Sequence, residues 1–394
     1  MAVGHNCLAA NTTATNNTAV GIYALDHNTT GASNTAFGAE ALTANTTGTV
    51  NVAVGKDSMQ ANTTGDNNTA IGKDSLQYNT TADDNTACGY QALKVNTTGA
   101  RCTAVGTRAL DANTTAVNNT AIGCDAMTNC TTGVDNTAVG REALQYVTTG
   151  YHNTAVGQEC MKGSSAFSGY NNTCMGHNAA KAITTGHHNT LIGQTAGDDI
   201  TTGTNNLIIG GAPAAALTTG HRSVYIGNYA SSSSTAPEGE VVLNSGNASV
   251  TGKGNGTAFI TAHDGVGNPG AIYNGQNSST WGTTSDIRIK KNVVDCTTGL
   301  DKINQIRVRN FEYRTKEEIT DFDNPDAVTV EKEGLQVGVI AQEIIEVLPD
   351  TVEQMSTGAY TVNPDNLTWY LVNAIKELSA ENTALKARLD AAGL

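Results

Sequence analysis

Asn68-Thr-Ala-Ile-Gly-Lys-Asp-Ser-Leu-Gln-Tyr-Asn-Thr-Thr-Ala-Asp-Asp84 is followed directly by Asn85-Thr-Ala-Cys-Gly-Tyr-Gln-Ala-Leu-Lys-Val-Asn-Thr-Thr-Gly-Ala-Arg101, and the two segments align residue for residue. On either side of them, glycines recur every 17 residues at 4, 21, 38, 55, 72, 89, 106, 123, 140 and 157. An insertion of two residues around Gly163–Gly169 moves the next to Gly176, and the series resumes at Gly193, Gly210 and Gly227. The consensus N-T-A-V-G-x-x-A-L-x-x-N-T-T-G-x-x therefore occurs fourteen times. A fixed period of this kind is the signature of a stacked array in which each unit buries its apolar face on its neighbours.

Neighbouring residues of a strand point to opposite faces. The residue before each repeat glycine is apolar (Val3, Val20, Phe37, Val54, Ile71, Cys88, onward to Ile226), and the one before that is usually Ala (Ala19, Ala36, Ala53). Both faces of the short T-A-V strand are thus apolar. One can fill the interior of a coil, and the other needs a partner, most simply an identical chain. The Ala24–Leu25 and Ala92–Leu93 pairs read as a helical turn or a second strand on the same core, with glycine supplying the positive φ at corners. Where the Ala slot grows to Leu191 and Ile208, the Leu slot shrinks to Gly197 and Ala214, as a shared core of constant volume requires. The slot before T-T-G holds Asn at 11, 28, 45, 62, 79, 96 and 113, then Cys130, Val147, Ile183, Ile200 and Leu217. An inward ladder is expected there, lining an axis shared by three chains.

Composition agrees with a repeat protein rather than one large core: of 394 residues 39% are hydrophobic and 5% aromatic, with 42 glycines. After Asn228 the period is lost. Ser231–Ser234 and Pro237 read as a linker, and short β-runs follow at Glu240–Leu243, Ala258–Thr261 and Ala271–Tyr273. Charge then rises sharply: residues 285–394 hold 19 Asp/Glu and 12 Lys/Arg, more than half of all the charged side chains. Three regions follow: a repeat β-rod over 1–227, a Gly/Ser/Asn-rich β tip module over 228–284, and a charged domain over 285–394.

A net charge of −14 argues against nucleic-acid and anionic-membrane partners. No basic-then-apolar stretch opens the chain, so no signal peptide is expected, and without a run of 18 apolar residues no membrane insertion is expected. Of the eight cysteines, Cys7, Cys88, Cys160 and Cys174 sit in slots that elsewhere hold Ala or Val, and no C-x-x-C pair exists. They read as small buried hydrophobes, with no metal site and no cofactor implied.

The repeats resemble those in the heads of trimeric autotransporter adhesins and in phage tail fibres, which implies coils stacked around a threefold axis. The segments Trp281–Asn292 (W-G-T-T-S-D-I-R-I-K-K-N), Gly299–Ile303, Phe311–Tyr313, Gly338–Glu343, Leu348–Pro349 and Ala374–Leu378 resemble, in order, the endosialidase-type intramolecular chaperone domain at the ends of phage tailspikes and fibres. That resemblance implies trimerisation, assisted folding of the preceding rod, and autoproteolysis at the Thr284–Ser285 bond. Ser285 would be the nucleophile and Lys290 the base. A lysine shielded from water can lose its proton and activate a hydroxyl. A spacing of five lies on one face of neither helix nor strand, so a bend must unite the pair; periodicity alone would favour Lys291, and the choice of Lys290 rests on the resemblance.

A final helix is expected over about 366–390. Leu371, Ile375, Leu378, Asn382, Leu385 and Leu389 are spaced 4-3-4-3-4, which is a coiled-coil seam with an Asn fixing its register, or else the inner face of a solitary amphipathic helix. The expected fold is thus mainly β: a trimeric stacked β-roll or solenoid of fourteen 17-residue repeats, a small β tip, and an α+β domain ending in a trimeric coiled coil. The expected function is a structural tail fibre located in the virion, assembled in the host cytoplasm. Its expected partners are two further copies of itself (a homotrimer), a host surface glycan or other receptor, and another virion tail protein at the N-terminal end. Activity on an external substrate is not expected beyond single-turnover serine–lysine self-cleavage. The alternatives are a polysaccharide-degrading tailspike, which needs paired carboxylates in a groove, a bacterial trimeric surface adhesin, and ice binding through threonine ladders.

Overall fold

A computed structural model describes residues 1–214, 216–246, 249–262, 270–274, 291–321, 333–354 and 358–393. Contacts divide the chain into two compact units, Met1–Thr284 and Ser285–Leu394.

The first unit is a parallel β-solenoid with one coil per 17 residues. Each T-A-V segment is a three-residue strand paired in register with the same segment of the next coil, as in Thr69↔Thr86, Ala70↔Ala87 and Ile71↔Cys88. From Ala19 to Val242 the middle residue of each stacked strand, Ala in most coils, points inward and is fully buried, as are most of the Ala-Leu pairs and Phe167. The two-residue insertion does not break the stack: Thr154 pairs with Thr173, and Ser164, Ser165 and Ala166 are displaced to the surface.

The structure departs from the sequence reading in three ways. First, the stack does not end at 227. Val224–Ile226 pairs with Val241–Leu243 and that strand with Ala258–Ile260, both in parallel and both at an offset of 17. Gly270–Asn274 then pairs antiparallel with the last of these. The period escaped detection because its markers are replaced: Asn244 stands in the glycine slot and Glu240 in that of the strand-leading Asn. Glu240 is fully buried, and its carboxylate accepts from the Tyr225 hydroxyl at 2.8 Å, the Ser233 amide at 3.0 Å and the Gly254 amide at 2.8 Å. The sixteen coils span on the order of 70 Å at strand spacing.

Second, the Ala-Leu segments are neither helix nor strand. They are turns in which Leu itself is left-handed, with φ of 51° at Leu25, 48° at Leu76 and 52° at Leu93. Each coil has two further left-handed positions, such as Asn67 and Asp74, both at φ 58°. This conformation disfavours residues with a Cβ, yet these amides stay bonded along the stack: Asn67 to Thr49 at 3.1 Å, Asp74 to Lys56 at 3.0 Å and Leu76 to Ala92 at 3.0 Å. The glycine that follows each T-A-V strand sits at a corner where φ is positive and the next coil is close. Gly72 has φ 133°, and a Cβ there would lie 2.4 Å from the Gly89 carbonyl oxygen.

Third, the ladder before T-T-G lies inside the coil of a single chain, not on an axis between chains. Asn28 through Asn113 and then Cys130, Val147, Ile183, Ile200 and Leu217 are all fully buried by their own coils. The Asn62 side-chain amide donates to Asn45 Oδ1 at 2.9 Å and to the Gly65 carbonyl at 3.1 Å, and Asn62 Oδ1 accepts from Asn79 at 2.9 Å. A second ladder uses the Asn that opens each strand: Asn51 Oδ1 accepts the Asn68 amide at 2.9 Å, while Asn51 Nδ2 donates to Gly65 at 2.8 Å. The exchange of volume between slots holds, since a Cβ on Gly197 would meet Leu191 Cδ2 at 2.4 Å.

The first ladder ends in an orphan. Cys130 has no amide to offer, and the buried Asn113 Oδ1 has no partner. Asn62→Leu, which leaves Asn45 Oδ1 in the same state and also removes the acceptor of Asn79, is expected to lower stability by about 2–4 kcal/mol in urea unfolding of the full chain. Cys130→Asn only passes the orphan to the new side chain beside Val147 and is expected to change stability by less than about 1 kcal/mol.

Candidate functional site

The outward residue of each strand forms an apolar line on the surface of the solenoid. Val3, Phe37, Ile71, Val105, Ile122, Met175 and Ile226 are exposed, Phe37 by 57%. Register places all fourteen residues of this slot, followed by Leu243 and Ile260, in one line along the stack. The sixteen apolar side chains, seven exposed and nine half-buried, form a line on the order of 70 Å long, and a contiguous apolar surface marks an interaction site. The line carries no charged residue.

The second unit is built around α1 (Leu300–Ile303), α2 (Ala341–Ile344) and α3 (Pro364–Ala391), with two antiparallel ribbons, Arg309–Phe311 on Gln336–Gly338 and Val352–Gln354 on Tyr360–Val362. The motifs that the sequence singles out meet here. The Leu300 amide donates to Glu377 Oε2 at 2.6 Å, and Asn373 Nδ2 donates to the carbonyls of Cys296 at 3.0 Å and Thr298 at 3.2 Å, tying α1 to α3. Gly299 allows this approach: a Cβ there would lie 2.2 Å from Glu377 Oε1. Arg309 forks onto Glu343 at 2.6 and 3.2 Å, and the guanidinium holds that carboxyl below the usual range. The Tyr370 hydroxyl donates to Asp350.

These polar ties enclose very little core. Among the described residues of this unit the buried apolar side chains are Ile344, Leu348 and Ala374, whereas Val337 is 72% exposed, Trp369 67% and Ile375 66%. Along α3 the residues Leu371, Ile375, Leu378, Leu385 and Leu389 are all exposed, so the whole seam is uncovered. Among the described residues, three buried side chains offset little of the conformational entropy of ordering them.

Thr284, Ser285 and Lys290 lie outside the described residues. Among those described, no three His, Cys, Asp or Glu side chains converge to hold a metal ion, and no helix is long and apolar enough to cross a membrane. Acidic side chains of the repeats serve the backbone: Asp66 Oδ1 accepts the Thr49 amide at 2.6 Å and Asp83 Oδ1 the Asp66 amide at 2.8 Å. The second ladder of asparagines is the feature that sequence reasoning passed over, although the strict recurrence of Asn before Thr-Ala was its signal.

The fold and these surfaces define a class: a repetitive β-solenoid followed by a small unit whose described residues bury little apolar surface. Residues 285–353 match the sequence profile of the family described as chaperone of endosialidase, which covers the motifs around Gly299, Phe311, Gly338 and Leu348. No solved structure matches the chain.

All eight cysteines are free thiols. Burial pushes Cys130 up to about 12 and also raises Cys102 and Cys174. Alkylation of the native protein followed by peptide mass spectrometry is expected to modify the exposed Cys124 and Cys296 first and to spare Cys102, Cys130, Cys160 and Cys174. Modification of the buried four at the rate of the exposed pair would contradict their enclosure within the coils.

Proposed function

We propose that this chain is the shaft of a phage tail fibre, a homotrimer that attaches to the host surface, and that its terminal unit aligns the three chains and then cuts itself away. The observation that carries the reading is apolar surface left open on both units, as a line along the solenoid and as a seam along α3. Parallel copies in register would cover both at once. The family match at 285–353 supports assembly of this kind, because the match is to a folding chaperone.

Cleavage is assigned to the Thr284–Ser285 bond, with Ser285 as nucleophile and Lys290 as base. The Ser285 hydroxyl adds to the Thr284 carbonyl as its proton passes to Lys290; the same proton then goes to the departing Ser285 nitrogen, and water hydrolyses the ester. The family match begins at residue 285, which supports that junction. A trimer also supplies the desolvated setting in which a lysine is neutral enough to act. The rod would be located in the virion after assembly in the host cytoplasm, bound to another tail protein at its N-terminal end and to a surface glycan at its receptor site.

Denaturing electrophoresis is expected to show a Ser285–Leu394 fragment from wild type and from Lys291→Ala, but none from Ser285→Ala or Lys290→Ala. Cleavage persisting in Ser285→Ala would remove the assignment. Sedimentation tests assembly separately: Ile71→Asp with Val105→Asp, both on the outer line, is expected to reduce the trimer at least tenfold without changing the circular dichroism of the coils. A trimer of undiminished strength would show that another face is the contact.

A further inference from the structure

The corner residues that follow T-T-G vary from coil to coil, being Thr49, Asp66, Asp83, Ala100, Val117 and Val134 through the first half of the array. In three consecutive coils they become Tyr151, Tyr170 and His187. These rings stack face to face along the axis, Tyr151 on Tyr170 at 4.9 Å and 3°, and Tyr170 on His187 at 4.5 Å and 9°. The next position on each coil supplies His152, Asn171 and His188, with Asn171 Nδ2 3.0 Å from His188 Nε2.

Stacking occupies the ring faces and turns the polar edges outward. Among the described residues neither tyrosine hydroxyl has a hydrogen-bond partner, and His187 bonds through Nδ1 to the Thr185 carbonyl at 3.3 Å, leaving Nε2 open. Three polar edges thus stand in a row at coil spacing, held rigid by the rings. Tyrosines fixed in this way lose little entropy on binding and offer an apolar body with a polar tip. The Arg222 guanidinium near the row is paired with Glu238 at 2.5 Å, and the Asp135 carboxylate lies 3.5 Å from His152 Nε2, an arrangement that disfavours a polyanion. The same coils contain the sole insertion of the array, whose exposed Ser164, Ser165 and Ala166 lead into the coil of Tyr170. Neither departure is needed for stacking, since the coils before them stack without either.

We infer that the Tyr151–Tyr170–His187 row is a binding site for a neutral, hydroxyl-rich polymer, an uncharged glycan strand lying along the axis. This rests on the attachment reading above and specifies its site. The test uses the full chain against an array of neutral bacterial O-polysaccharides, with anionic capsular polysaccharides and bacterial envelopes as further arms. Wild type is expected to bind at least one neutral polysaccharide. Tyr151→Phe with Tyr170→Phe, which keeps the stack and removes the hydroxyls, is expected to weaken that binding at least tenfold with the unfolding midpoint unchanged, and His187→Ala to weaken it likewise. A purely structural stack would leave binding untouched in the Phe variant. Undiminished binding by the variants overturns this site while the attachment reading stands. Binding to anionic polymers alone, or to envelopes only through a protease-sensitive component, overturns the neutral-glycan assignment. No binding to any arm overturns the site and the attachment reading together.

Discussion

Amide-to-carbonyl bonding between residues about 17 positions apart is the constraint to which the rest of the solenoid answers. Every corner must turn the chain while keeping its N–H and C=O along the stack, because a buried peptide group without a partner costs about as much as several apolar contacts give. This explains why Leu25, Leu76 and their equivalents accept left-handed φ, a conformation usually left to glycine. It also explains the asparagines. Inside the coil the carbonyl after T-T-G points inward, as at Gly65, and both Asn62 and Asn51 donate to it. The polar interior is admissible because almost every member is satisfied, and Asn113 marks the place where that stops.

Once the backbone and the two ladders fix the interior, the outer residue of each strand is free of intrachain work. It is nonetheless apolar in every coil, a pattern that interior packing does not demand. The same holds for α3, whose seam residues stay exposed among the described residues. Two structurally unrelated units with the same deficit point to one remedy, association of identical chains in parallel. Repetition makes such association difficult, since a slip of one coil preserves most contacts. A small unit that trimerises first and fixes the ends would remove the ambiguity, and its later excision would leave the product trapped kinetically.

Much of this was legible in the sequence. The glycine period located the coils, the T-A-V alternation separated inner from outer faces, and the exchange between Leu191 and Gly197 revealed a shared core of fixed volume. Other parts were hidden for physical reasons. The coils after 227 lost their glycine and Asn markers while keeping the bonding pattern, which a residue consensus cannot register. The Asn28–Asn113 ladder was correctly expected to face inward, but pattern alone cannot say whether the inside belongs to one chain or three; full burial by a single chain decides it. Left-handed leucines were missed because rules of propensity assign positive φ to glycine. The charged domain was recognised through its motifs, while the proposed pair Ser285 and Lys290 falls outside the described residues.

The central claim is that the outer line of strand residues faces two other copies of the chain. A density map of the uncleaved Ser285→Ala protein, at a resolution that distinguishes side chains, tests it most directly. The account predicts three parallel solenoids in register, with Val54, Ile71 and Cys88 turned toward one another and the asparagine ladders enclosed separately within each chain. A single solenoid with those side chains in solvent, or an assembly joined through a different face, would contradict it.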